Sequence, residues 1–244
     1  MTDQIFYTEG AGNNFFFTIS EDLTFKDLLN KSKEKGVTPD GFIVSKRVNE
    51  TQLTFDFYNN DGSNVDFCGN ALRAVGVCYH QISGIKDFKL QTNVGNLKIG
   101  IKGESLVEAE MPKPEVKAAV KIDQHEIPHI LSGVPHLVFD QSLFGIDDSD
   151  DMRGFCGRVR EMSLGGIETY NLTFYKKGTD PIKCVTFERG VEDFTLACGS
   201  GALSVATVLG GDKVSLEMPG GVLEISKRNN EIFMLGSANV IEVY

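Results

Sequence analysis

The chain has 244 residues, 41% of them hydrophobic and 24% charged, with a formal net charge of −10. That is an ordinary globular composition, long enough for one large domain or two small ones with real cores. The acidic balance, with no Lys/Arg cluster, excludes a nucleic-acid-binding surface, and no apolar stretch approaches the roughly 20 residues of a membrane span. Met1-Thr2-Asp3-Gln4-Ile5-Phe6-Tyr7 lacks the basic region and apolar run of a signal peptide, so a cytoplasmic location with reduced thiols is expected. Five cysteines without a CxxC spacing indicate neither a disulfide framework nor a zinc site.

In chain order, residues 23–35 place Phe25, Leu28 and Leu29 on one face among lysines, which predicts an amphipathic surface helix. Residues 51–57 alternate, with Leu53, Phe55 and Phe57 on one side, and predict a strand. A turn, Asn59-Asn60-Asp61-Gly62-Ser63, then leads to Phe67-Cys68-Gly69-Asn70, where a nearly uncharged helix opens. Period-two runs at 96–101 and 105–111 predict two more strands. Pro112-Lys113-Pro114 and the following residues 115–121 are expected to form the crossing between two lobes, 1–113 and 114–244, with the last strand able to return to the first. Asp147-Asp148-Ser149-Asp150-Asp151 is expected to be a solvated loop or helix start rather than a metal site. After Glu188-Arg189-Gly190 comes Ala197-Cys198-Gly199-Ser200-Gly201, which opens an uncharged helical segment. Strand runs follow at 213–218, 222–225 and 231–235.

A helix apolar on every side is buried. Strands around one buried helix, occurring twice, predict an α+β architecture of two pseudo-symmetric lobes, each a sheet wrapped about a central helix. Each central helix opens on a cysteine. Unspent N–H groups and the positive end of the helix dipole favour thiolate there. One thiolate and one thiol on opposite faces of a substrate could remove a carbon-bound proton and return another, inverting the centre. The helix starts could hold a carboxylate through the backbones of Gly69, Asn70, Gly199 and Ser200. Cys78, Cys156 and Cys184 lack the glycine-rich helix start and are expected to be core residues.

These motifs resemble those of the diaminopimelate epimerase family, over nearly the whole chain. Gly10-Ala11-Gly12-Asn13-Asn14-Phe15 is similar to the family's GxGNDF element, and Asp40-Gly41 to its ADG turn. The segment from Asn59 to Asn70 resembles NADGS…CGN, Glu108-Ala109-Glu110-Met111 resembles VDMG, and the segment from Glu188 to Ala202 resembles ERG…ACGSGA. The resemblance implies two-lobed epimerases with the active site between the lobes, no cofactor and no metal. Cys68 and Cys198 would be the acid and base, inverting the α-carbon of LL-diaminopimelate to the meso form. Asn13, Asn59, Asn171, Glu188 and Arg189 would line the pocket, Arg189 holding a distal carboxylate. His136, in Gly133-Val134-Pro135-His136, matches the family's GNPH histidine and would support a cysteine's ionisation. The partner is a small amino acid, and a homodimer is compatible with the reading.

Three departures bear on the substrate. Val134 replaces the asparagine of GNPH, Asn14 replaces the aspartate of GNDF with Glu9 where a histidine usually stands, and the interval from Glu188 to Cys198 is one residue longer. The longer interval either bulges harmlessly or shifts Glu188 and Arg189 relative to the thiol. Racemisation of a different amino acid by the same chemistry is therefore the alternative. A Cys-His hydrolase using His136 with Cys68 or Cys198, and an amino-acid-binding module without turnover, are the readings outside this class.

Overall fold

The computed structural model describes residues 4–146, 149–164, 166–167 and 169–244. Two compact units form: Met1–Pro112 together with Phe233–Tyr244, and Lys113–Ile232. The first carries β1 (Ile5–Gly10), β2 (Asn13–Ile19), α1 (Phe25–Lys35), β3 (Gly41–Ser45), β4 (Arg47–Asn49), β5 (Gln52–Thr54) and β6 (Asp56–Tyr58). It continues with β7 (Asn64–Val65), α2 (Gly69–Ser83), β8 (Asp87–Thr92), β9 (Gly95–Ile101) and β10 (Leu106–Met111). The second carries β11 (Glu115–Ile122), β12 (His125–Ser132), β13 (Val134–Asp140), α3 (Gln141–Phe144), α4 (Ser149–Arg160), β14 (Asn171–Lys176) and β15 (Ile182–Glu188). It ends with β16 (Asp193–Phe194), α5 (Gly199–Leu209), β17 (Lys213–Met218) and β18 (Gly221–Arg228), after which β19 (Glu231–Val243) enters the first unit at Phe233.

In the first unit the strands run β7-β6-β3-β2-β1-β19-β10-β9-β8-β5-β4 through hydrogen-bonded neighbours. They wrap α2, which packs against β1, β2, β9 and β10. Ala71, Leu72, Ala74, Val75, Cys78 and Tyr79 of α2 are buried in one cluster with Phe6, Phe15, Phe17, Leu53, Ile99 and Val107. Each large apolar side chain so buried contributes roughly 1.5–3 kcal/mol. The expected strand at 51–57 is divided in two. β5 pairs with β4 and β8, β6 pairs with β3 and β7, and the chain changes partner at Phe55, whose N–H meets Gln91 C=O at 2.9 Å. Leu53, Phe55 and Phe57 still enter the same core, so the period was right and the partner was not local. α1 lies where its pattern predicts. Thr24 caps it, its N–H and hydroxyl both donating to Asp27 (2.8 and 2.6 Å), and Gly36 ends it at φ +65°.

In the second unit β11-β12-β13-β14-β15-β17-β18 form a mixed sheet, with β13–β14 and β15–β17 parallel. α5 packs on one face, against β12, β13, β14, β15 and β18. On the other, Leu137, Phe139, Leu172, Phe174 and Phe187 meet Phe155, Cys156 and Val159 of α4. Residues 115–121 are not a crossing segment. They are β11, a hairpin strand turned at Asp123 (φ +53°) and registered Val116↔Ile130 and Ile122↔His125 on β12. Pro112 and Pro114 stop short of that ladder, and its one irregularity, between Lys117 and Val120, falls opposite Pro128 of β12. Asp150 and Asp151 lie in the first turn of α4, where carboxylates suit the helix dipole, while Asp147 and Asp148 lie outside the described residues. Among the described residues no helix is long and apolar enough to cross a membrane.

Candidate active site

Both motif cysteines are helix N-caps. Cys68 (φ −138°, ψ 118°) precedes α2, and Cys198 (φ −119°, ψ 105°) precedes α5. The first intrahelical bonds end on their carbonyls, from Leu72 and Ala202, both at 2.9 Å. Each sulfur thus stands at the positive end of a buried helix. Two glycine contacts let the helix starts sit so deep. A Cβ on Gly10 would lie 2.4 Å from Asn70 O, and one on Gly201 would lie 2.3 Å from Thr186 Oγ1.

Around Cys68, Asn70 is buried and its Nδ2 donates to Asn13 Oδ1 (2.9 Å), joining the helix start to the start of β2. Asn59 Nδ2 donates to Ser63 Oγ (3.0 Å) inside its own turn, where Gly62 takes φ +83°. The same turn binds Asp61 through the N–H and hydroxyl of Ser63, holding that carboxyl below its usual range.

Around Cys198 the polar residues come from alternate positions on β13, β14 and β15, the face toward α5. His136 is completely buried. Its Nδ1 meets Thr173 Oγ1 at 2.8 Å, and its Nε2 meets Ser200 Oγ at 2.9 Å and Asn171 Nδ2 at 3.4 Å. The partners assign its tautomer. Arg189 N–H donates to Asn171 Oδ1 (3.0 Å), so the amide turns its NH2 toward His136, which must accept at Nε2 and donate from Nδ1. Burial, then the charges of Arg189 and His129, push its pKa down to about 3, so the ring is neutral. Ser200 Oγ also lies 3.3 Å from Cys198 Sγ, linking thiol, hydroxyl and imidazole in one row.

Burial raises the Cys198 pKa well above the ordinary thiol value, and the Glu188 carboxylate raises it further by charge and by accepting from the thiol. The contact with Ser200 and the hydrogen bond from the Gly201 N–H oppose this without overcoming it. The longer interval is a hairpin. Glu192 takes φ +53°, its N–H returns to Glu188 C=O at 2.8 Å, and β16 registers Glu188↔Asp193. Thr195 then donates to Glu188, so the added residue leaves this carboxylate on the thiol. Arg189 is exposed, its Nη1 donating to Thr169 Oγ1 at 2.7 Å.

The structure therefore gathers Asn13, Gly69 and Asn70 about Cys68, and His136, Asn171, Glu188, Gly199 and Ser200 about Cys198. It keeps the Asn59 side chain in its turn and the Arg189 guanidinium at the surface. Thr173, Thr186 and Thr195 went unread. Thr173 and Thr186 are polar positions flanked by apolar residues, in phase with Asn171 and Glu188, and that phase is the available signal.

A curated diaminopimelate epimerase of Thermotoga maritima is 34% identical over 203 residues, 81% of each chain. The chain belongs to the diaminopimelate epimerase family. The family's model matches residues 7–117, and a diaminopimelate epimerase of Archaeoglobus fulgidus is 28% identical across 97% of this chain and 94% of its own. The fold extends beyond the family. The crystal structure of a phenazine biosynthesis protein of the PhzF family from Enterococcus faecalis aligns over 100% of this chain and 98% of its own, with a TM-score of 0.71 at 14% identity.

Proposed function

We propose that this member of the diaminopimelate epimerase family inverts the α-carbon of LL-diaminopimelate to the meso form without a cofactor, using Cys68 and Cys198 as the two bases. The observation that carries the proton-transfer step is the unequal pair of caps: both thiols sit at helix starts, but Cys198 is buried beside a carboxylate and keeps its proton. One thiolate takes the α-proton and becomes a thiol. The other thiol delivers its proton to the opposite face, and the centre inverts with no net gain or loss. The electron pair left on carbon is delocalised toward the α-carboxylate, which the helix-start amides of Gly69, Asn70, Gly199 and Ser200 would hold. Glu188 and the neutral His136–Ser200 pair then set the proton affinity of Cys198, and Arg189 is left at the surface to meet a distal carboxylate.

In deuterated water, deuterium should enter Cα of diaminopimelate far faster than that of any other amino acid in a panel. Cys68→Ala and Cys198→Ala should each abolish inversion. Equal or faster exchange into another amino acid would select the second reading, racemisation of a different substrate. Val134 favours that reading, because at the start of β13 it offers no polar atom where the family has asparagine. Activity surviving loss of either cysteine would point to single-nucleophile chemistry. A cytoplasmic homodimer completes the proposal, and sedimentation of the purified chain tests the assembly.

A further inference from the structure

Arg73 lies on α2, just beyond the Cys68 cap, and is completely buried. Its Nη1 donates to Gly69 C=O (3.1 Å) and to Met234 Sδ (3.0 Å), and its Nη2 to Asn70 Oδ1 (2.6 Å). All of these acceptors are neutral, and its Nε has no hydrogen-bond partner. A guanidinium does not shed its proton at neutral pH, so burying one requires an anion nearby.

The elements packed on α2 narrow the choice. On β10, Val107, Ala109 and Met111 turn inward, while Glu108 pairs with Lys102 at 3.5 Å and Glu110 accepts the Lys98 N–H at 3.1 Å. Lys98 alternates with the buried Leu97 and Ile99 of β9, so it points away. Tyr7 of β1 packs against Phe16 in a separate cluster, and β2 carries no charge. On α2 itself the Tyr79 hydroxyl donates to Glu50 C=O and His80 meets Ile85 C=O, while burial pushes Cys78 up to about 12. The two anionic groups that act on the guanidinium are Cys68 and Glu9. The Glu9 carboxylate already accepts from Gly12 N–H (2.9 Å) and from the Asn239 amide.

We propose that Arg73 is a positioning residue that makes Cys68 the resting thiolate of the pair, presenting a fixed buried positive charge to its sulfur and clamping, through Gly69 and Asn70, the turn that carries it. Its influence on Arg73 agrees with this. Burial lowers the guanidinium pKa to about 10, and Cys68 opposes that fall more than Glu9 does. The effect is mutual, because a charge that stabilises its neighbour's ion is stabilised by it. Cys198 has the opposite setting, a carboxylate beside a buried thiol. The resting enzyme thus holds one proton between its two thiols, on Cys198. The catalytic meaning rests on the two-base reading, but the ionisation of Cys68 is measurable without it.

The test is the pH dependence of iodoacetamide alkylation of the folded full-length chain, with each cysteine quantified by peptide mass spectrometry. In the wild type the Cys68 midpoint should lie below the ordinary thiol value of about 8.5 and below that of Cys198. Arg73→Met should raise it by at least about one pH unit, making alkylation roughly tenfold slower at any pH well below the wild-type midpoint. Arg73→Lys keeps the charge without reaching both Gly69 and Asn70, so turnover should fall while the midpoint moves by less than about half a unit. A wild-type Cys68 midpoint at or above the ordinary value overturns the proposal. So does an unchanged midpoint in a folded Arg73→Met variant. If Arg73→Met does not fold, the wild type and Arg73→Lys decide, and a full-unit rise in the lysine variant overturns the electrostatic role. An Arg73-dependent thiolate in a protein that exchanges no amino-acid α-proton would sink the two-base reading and leave this inference standing.

Discussion

The side-chain carbonyl of Asn171 accepts the backbone N–H of Arg189 at 3.0 Å, and this bond determines which nitrogen of His136 carries the proton. A backbone N–H can only donate, so the Asn171 amide has one orientation and His136 Nε2 must accept. Ser200 Oγ lies 2.9 Å from that nitrogen and 3.3 Å from Cys198 Sγ, and its single proton serves one of them at a time.

His136 should therefore stay neutral, with hydrogen on Nδ1, throughout the working pH range. Two-dimensional nitrogen–proton NMR of the labelled imidazoles should show one resonance set that does not titrate between pH 5 and 8. Its folded pKa of about 3 lies below the unfolded value of 6.5. The unfolded state therefore binds the extra proton first as pH falls. The stabilisation is complete above 6.5 and is lost on descending toward 3, with a slope approaching about 1.4 kcal/mol per pH unit. Urea midpoints of wild type and His136→Gln across pH 4–7 check this, and the variant's profile should be flatter.

Glu188→Gln keeps an oxygen for Thr195 but removes the charge beside Cys198. The alkylation midpoint of Cys198 should fall while staying above the ordinary thiol value, because burial is the larger cause. Turnover should drop on the order of 10–100-fold, and the basic limb of the rate profile should move to lower pH. An unchanged profile would mean that the carboxylate does not tune this thiol.

Glycine substitutions should divide by what their Cβ would meet. Gly10→Ala drives a methyl to 2.4 Å from a backbone oxygen, Asn70 O, and should destabilise by about 1–3 kcal/mol and displace the Cys68 helix start. Gly154→Ala and Gly157→Ala lie within α4 with open space around them, and should each stabilise by about 0.5–1 kcal/mol. Thermal melts of the three variants are a direct comparison.

Cys78, Cys156 and Cys184 should resist alkylation in the folded protein at pH 8. Burial pushes each thiol up to about 12 and keeps reagent away. Peptide mapping during a time course should find Cys68, the half-buried thiol, labelled first. Early label on Cys184 would indicate local opening of β15.

Much of this was legible in the chain. The amphipathic run at 23–35, the two apolar helices behind Cys68 and Cys198, and the alternating run at 213–218 all became elements close to their predicted bounds. Local rules sufficed there, because periodicity, a capping threonine and glycine at the stop act within a turn or two. They failed at 51–57, where one alternating run serves two sets of partners, and at 115–121, where an exposed run beside two prolines looked like a linker but found a hairpin partner. The site divided the same way. Cysteine, glycine and the Glu188-Arg189-Gly190 motif could be read directly, whereas Thr173, Thr186 and Arg73 looked like ordinary strand and helix residues.

What the sequence determined by itself was the chemistry on offer: two thiols at the starts of two helices too apolar to be anywhere but inside. What only the tertiary structure decided was the unequal setting of those thiols. Parallel pairing of β13 with β14, set by neither turn nor loop chemistry, puts His136 opposite Asn171, and a hairpin returns Glu188 to Cys198 despite the added residue. Charge and hydrogen bonding act through space over a few ångströms, and only folding brings residues so far apart in the chain within that range.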